Sequence, residues 1–133
     1  MSGLTVFLAR SLGLFMILLV AGLWLRGVAA IESSVSNGPL LLGYAIISLA
    51  MGVAMVVGHN VWTAGALPLV VTLVGWLVLA KGIVLLLVTP ASLLAAMNQM
   101  QYMQHYPVAL LPAFVIGLYL SWAGFTAKAT KGR

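Results

Sequence analysis

Residues 40–58 read LLLGYAIISLAMGVAMVVG, nineteen positions without a charged side chain or a proline. A helix of about 20 apolar residues crosses the roughly 30 Å of hydrocarbon in a bilayer. Leucine, valine and isoleucine fall on every side of this stretch, so it offers no polar face to water. It predicts a transmembrane helix, because only a helix satisfies its own backbone groups inside lipid.

Working outward, His59 to Ala66 (HNVWTAGA) leads to Leu67–Val88, a second apolar run broken only by Lys81. So short a link makes the two runs antiparallel neighbours. Upstream, Ile31 to Pro39 (IESSVSNGP) reads as a polar turn, with Asn37-Gly38-Pro39 as the breaker. Before it lies a span over residues 10–26, with Leu4 to Ala9 as a shorter apolar lead-in. A last span covers 108–125. Between the last two spans, Thr89-Pro90 is a helix start, cap then first-turn proline. The following ASLLAAMNQMQYMQHY predicts a helix over 90–105 lying in the membrane interface. The expected fold is all-α: a bundle of four transmembrane helices plus one interfacial helix, as one domain over 1–133. Val28-Ala29-Ala30 resembles a small-residue cleavage site, but the first run is expected to be retained as a span. The two halves share span lengths and no residue pattern, which gives an inverted-repeat transporter no support.

Composition agrees. The chain is 64% hydrophobic and 5% charged, whereas soluble domains carry about a quarter charged residues. Six Lys/Arg stand against one acid, Glu32. The cations sit at span ends (Arg10, Arg26, Lys128, Lys131, Arg133), a pattern of membrane orientation; nucleic acid is not an expected partner. Cysteine is absent, which excludes disulfides and thiolate chemistry. Four spans return the chain to its starting side, where Arg10 and the C-terminal cations gather. The positive-inside rule then places both termini in the cytoplasm. Trp24, Trp62 and Tyr106 fall near span ends, at headgroup depth.

Small residues mark candidate packing faces, since close backbone approach drives helix association in lipid. They are Ala50, Ala54 and Gly58 in the second span, Gly75 and Gly82 in the third, and Gly117 and Ser121 in the fourth. Lys81 points about 120° away from Gly75 and Gly82. Its simplest reading is a stem that snorkels outward; an ion pair with Glu32 and a role in a transport path are the alternatives. Glu32 follows the first span rather than lying in it, unlike the essential membrane-embedded acid of small four-helix multidrug exporters. A single carboxylate also rules out a glycosidase-type acid pair.

His59, Asn60 and Trp62 form a turn that is either a capping and anchoring device or a proton-titrating or ligand-binding site. GHNVW, followed by Gly75-Trp76, Lys81-Gly82 and Pro90, resembles a pattern in small uncharacterised bacterial inner-membrane proteins. The likeness spans residues 58–90 and implies a location in the inner membrane but no activity. Met97, Met100, Met103 and His105 are thioether and imidazole donors of the kind that bind Cu(I). On a helix the same spacing is an apolar stripe with Leu93 and Leu94, and that is the expected role. His59 and His105 fall near opposite faces, which disfavours a bis-histidine haem. No nucleophile elbow, phosphate loop or zinc-helix motif occurs in the chain.

These readings predict a non-enzymatic protein without cofactor or metal. It serves as an accessory or scaffold subunit that contacts lipid and packs against another membrane protein or its own copies. The alternative is a small homo-oligomeric transporter or channel using Lys81 and His59.

Overall fold

The computed structural model describes residues 2–128, all of its regular structure helical. Seven helices follow one another: α1 (Gly3–Arg26), α2 (Val28–Ser36), α3 (Gly38–Gly58), α4 (Ala66–Leu87), α5 (Pro90–Gln99), α6 (Tyr102–Ala109) and α7 (Leu111–Thr126). Four segments are long and apolar enough to cross a membrane: α1, α3, α4 and the nearly continuous α6–α7. Large apolar side chains are exposed along all four, among them Phe7, Leu18, Ile46, Leu77 and Trp122. An exterior of this kind has hydrocarbon as its solvent, and the molecule is a multi-pass integral membrane protein.

Local chemistry sets the ends. The Ser2 hydroxyl accepts the Thr5 N–H at 3.2 Å and starts α1. Gly27, at φ +78°, ends it in a backbone region that L side chains rarely adopt. Asn37 caps α3, its Oδ1 accepting the Leu40 N–H at 3.0 Å. Thr89 and Ser92 form a reciprocal capping box at the start of α5.

Three local expectations change. The first span begins at Gly3, not at residue 10. Arg10 does not end it, because the side chain turns inward: Nε donates to the Gly124 carbonyl at 2.8 Å and the guanidinium lies 5.2 Å from the Phe125 ring centre. Most of the expected polar turn at 31–39 is helical, as α2. Its serines suit a helix by bonding back one turn: Ser33 and Ser34 hydroxyls donate to the Ala30 carbonyl, and Ser36 to that of Glu32. The expected interfacial helix over 90–105 is two pieces. Gln101 takes left-handed backbone angles (φ +53°) between α5 and α6, and α6 is kinked at His105. Pro107 contributes by removing the N–H that would have continued the ladder.

Packing organises the long helices as two antiparallel pairs. In the α1–α7 pair, Gly13 lies under the backbone of Ser121 and Gly117, and Gly124 lies against Ala9 and Arg10. Trp24 closes the far end of this pair, its Nε1 donating to the Pro107 carbonyl at 3.3 Å and its ring 5.0 Å from that of Phe114. In the α3–α4 pair, Gly52 meets the backbone of Leu79, and Gly82 meets that of Ser48 and Leu49. Helix α4 joins the pairs, touching both α1 and α7. The shared core gathers at one end, from Ala9 and Leu12 of α1, Met55 of α3, Leu67 and Val71 of α4, and Leu120 of α7. At the other end α2, α5 and α6 pack on one another.

Candidate functional site

Of the polar positions singled out in the sequence, His59 is the one the fold encloses. It follows the last residue of α3, and its own N–H donates to the Met55 carbonyl at 2.7 Å. The ring is 3% exposed, wedged where α1, α3 and α4 converge. Nε2 lies 2.9 Å from Thr5 Oγ1 on α1, and Nδ1 lies 3.2 Å from Thr72 Oγ1 on α4. Thr5 and Thr72 are themselves buried. One imidazole therefore ties three spans together.

Proton counting assigns the directions. Thr72 Oγ1 lies 3.0 Å from the Val61 carbonyl, which only accepts, so the Thr72 proton goes there. The same oxygen accepts the Val61 N–H at 3.0 Å and, from the ring, the proton on Nδ1. With Nδ1 protonated, neutral Nε2 accepts from the Thr5 hydroxyl, and Thr5 Oγ1, 2.8 Å from Ser2 Oγ, accepts from Ser2. Donation runs one way, from Ser2 through Thr5, His59 and Thr72 to Val61. The other tautomer would move the Thr72 proton to the ring and leave the Val61 carbonyl without it. The arrangement is a clasp whose polar atoms are all satisfied, as burial in an apolar bundle end requires.

The rest of the turn is fixed by the same logic. Asn60 Oδ1 accepts the Trp62 Nε1–H at 2.7 Å and that of Trp76 at 3.4 Å. The turn thus carries two separate hydrogen-bonded groups: His59 with Thr5, Thr72 and Ser2, and Asn60 with Trp62 and Trp76. Sequence reading missed Thr5 as a partner, although a threonine near a span end is a signal when a histidine lies at the end of another.

Other expectations fare differently. Lys81 is exposed on α4 and Glu32 is exposed on α2, and no ion pair joins them among the described residues. Lys81 stands nine positions beyond Thr72, about 13 Å along the helix, so it does not share the His59 site. Lys81→Leu is expected to leave the thermal unfolding midpoint in detergent unchanged or slightly raised; a clear fall would show that the ammonium has a structural partner. Met97 is buried while Met100 is 70% exposed, and the left-handed Gln101 separates both from Met103. The methionines thus form no single helical stripe. His105 is exposed, its Nδ1 3.1 Å from the Gln101 carbonyl oxygen. No cluster of three or more His, Cys, Asp or Glu occurs among the described residues.

Gly75, Gly82, Gly117 and Ser121 lie on helix contacts, together with Gly13, Gly52 and Gly124. Ala50, Ala54 and Gly58 do not: all three are exposed, and α3 packs instead through Leu41, Ala45, Gly52 and Met55. The reason is helical phase. Gly52 and Met55 lie on the opposite side of α3 from Ala50 and Ala54, and the backbone of Leu79 lies where a side chain at position 52 would be. Lys131 and Arg133 lie outside the described residues. Comparison with protein-family models, curated proteins and solved structures gives no match.

Proposed function

We propose that this protein is a non-enzymatic accessory or scaffold subunit of the bacterial inner membrane, with both termini cytoplasmic, that receives a helix of a partner membrane protein. The observation that carries this reading is an open apolar groove between α1 and α3, about 410 Å³ in volume. Leu8, Leu12 and Phe15 form one wall, and Met51, Ala54 and Met55 the other, with Ser11 beside them. Ala54 belongs to the exposed Ala50–Ala54–Gly58 stripe. A small-residue face left unused inside the chain and bordering a groove suits close approach by another helix, and Ser11 supplies an interhelical hydrogen bond. The fully satisfied His59 clasp supports a rigid framework, and Lys81, outside that site, supports no shared route with it.

Mass measurement after gentle detergent extraction tests the reading. Wild type is expected in a hetero-complex or a closed homo-oligomer, and Ala54→Trp, which fills the groove, is expected to weaken that association at least tenfold while the helical signal is retained. A chain that is monomeric at all concentrations, or association indifferent to Ala54→Trp, contradicts it. A homo-oligomer that conducts solute in vesicles would favour the channel reading instead.

A further inference from the structure

We infer that the cleft between the far ends of α1 and α3 binds one anionic phospholipid, with its phosphate at Arg26. This cleft, about 450 Å³ in volume, is distinct from the groove above. Its lining is graded. Arg26, Ser33, Ser34 and Tyr44 supply the polar part, where α2 crosses between the two spans. Leu18, Leu19, Leu23 and Leu40 supply the apolar part along the long helices. That order, cation and hydroxyls beside a hydrocarbon channel, matches a phospholipid's headgroup and acyl chain.

Charge gives the occupant its sign. Arg10 is engaged by Gly124 and Phe125, whereas Arg26 is exposed and makes no side-chain hydrogen bond among the described residues. A guanidinium offers a phosphate two parallel donors. The Ser33 and Ser34 hydroxyls both donate to one carbonyl, that of Ala30, so either can turn to a phosphate without stripping it. Glu32 does not oppose this. Ala30, Ser33 and Ser34 share one side of α2, and a 100° step per residue places position 32 on the other. Gly22 also lines the cleft, and a Cβ there would meet nothing within 4 Å, so its small size keeps the channel open.

Native mass spectrometry of the delipidated full chain, titrated with phosphatidylglycerol or phosphatidylcholine, tests this. Phosphatidylglycerol is expected to bind one per chain, about tenfold tighter than phosphatidylcholine. Arg26→Gln is expected to erase that preference, and Gly22→Leu to reduce binding of both lipids. Lys81→Gln, a cation removed outside the cleft, is expected to change neither. Equal binding of the two lipids by wild type, an unaltered preference in Arg26→Gln, or displacement by millimolar inorganic phosphate would overturn the proposal.

Discussion

Gly52→Leu is expected to destabilise the folded protein by about 3 kcal/mol or more, at the upper end of overpacking effects. A Cβ on Gly52 would collide with the Leu79 backbone, and one on Gly82 would lie 2.5 Å from the Leu49 nitrogen. These are backbone obstacles, so no rotamer change relieves them, and α3 must move off α4 along its length. In lipid that separation is especially damaging, because apolar side chains gain little from leaving hydrocarbon and tight packing supplies much of the association energy. The informative comparison is Gly58→Leu on the same helix, where a Cβ meets nothing within 4 Å. Unfolding titrations with SDS in mixed micelles are expected to place Gly58→Leu within about 0.5 kcal/mol of wild type, as for ordinary surface changes. Similar losses for both variants would mean that α3 and α4 do not meet at Gly52.

His59→Leu is expected to cost about 2 kcal/mol, the loss of two hydrogen bonds worth about 1 kcal/mol each. The loss is shared, because Thr5 keeps Ser2 and Thr72 keeps Val61 when the ring is gone. What disappears is the link between spans. A double-mutant cycle isolates it: His59→Leu combined with Thr72→Val is expected to show a coupling of about 1 kcal/mol, as contacting partners do. Additivity between the two would mean that the ring and the hydroxyl act separately and that the clasp is not a unit.

Much of this architecture is legible in the residues, and the exceptions have identifiable causes. The long helices are visible because an apolar run without breakers has one solution in lipid. The start of α5 is visible because the Thr89–Pro90 chemistry is local, whereas Asn37 reads as a breaker until it is seen to cap α3. The start of α1 is hidden because Arg10 looks like a boundary until Gly124 and Phe125 are placed beside it. Helix α2 is hidden because serines suit turns and helices alike, and the choice falls to Gly27 and Asn37 at its ends. Nothing at Met100–Gln101 signals a left-handed residue, since neither glycine nor proline stands there. Packing faces are half legible: glycine shows where close approach is possible, but helical phase decides that Gly52 is used and Ala50 and Ala54 are not. The clasp required knowledge of which span ends meet. His59 is conspicuous on its own, while Thr72 and Thr5, the latter fifty-four positions from His59, enter only through the fold.

Hydrocarbon surrounding the long helices is the condition on which the fold and its sites depend. Because the chain contains no cysteine, single substitutions give unambiguous labelling sites. Ile46→Cys, Leu77→Cys and Val115→Cys lie at outward-facing positions within α3, α4 and α7, and Ser36→Cys and Thr63→Cys lie in exposed connecting segments. In native membrane vesicles, a charged maleimide is expected to spare the first three positions and to modify the last two from opposite sides of the bilayer. Rapid modification at Ile46, Leu77 and Val115 would contradict the account.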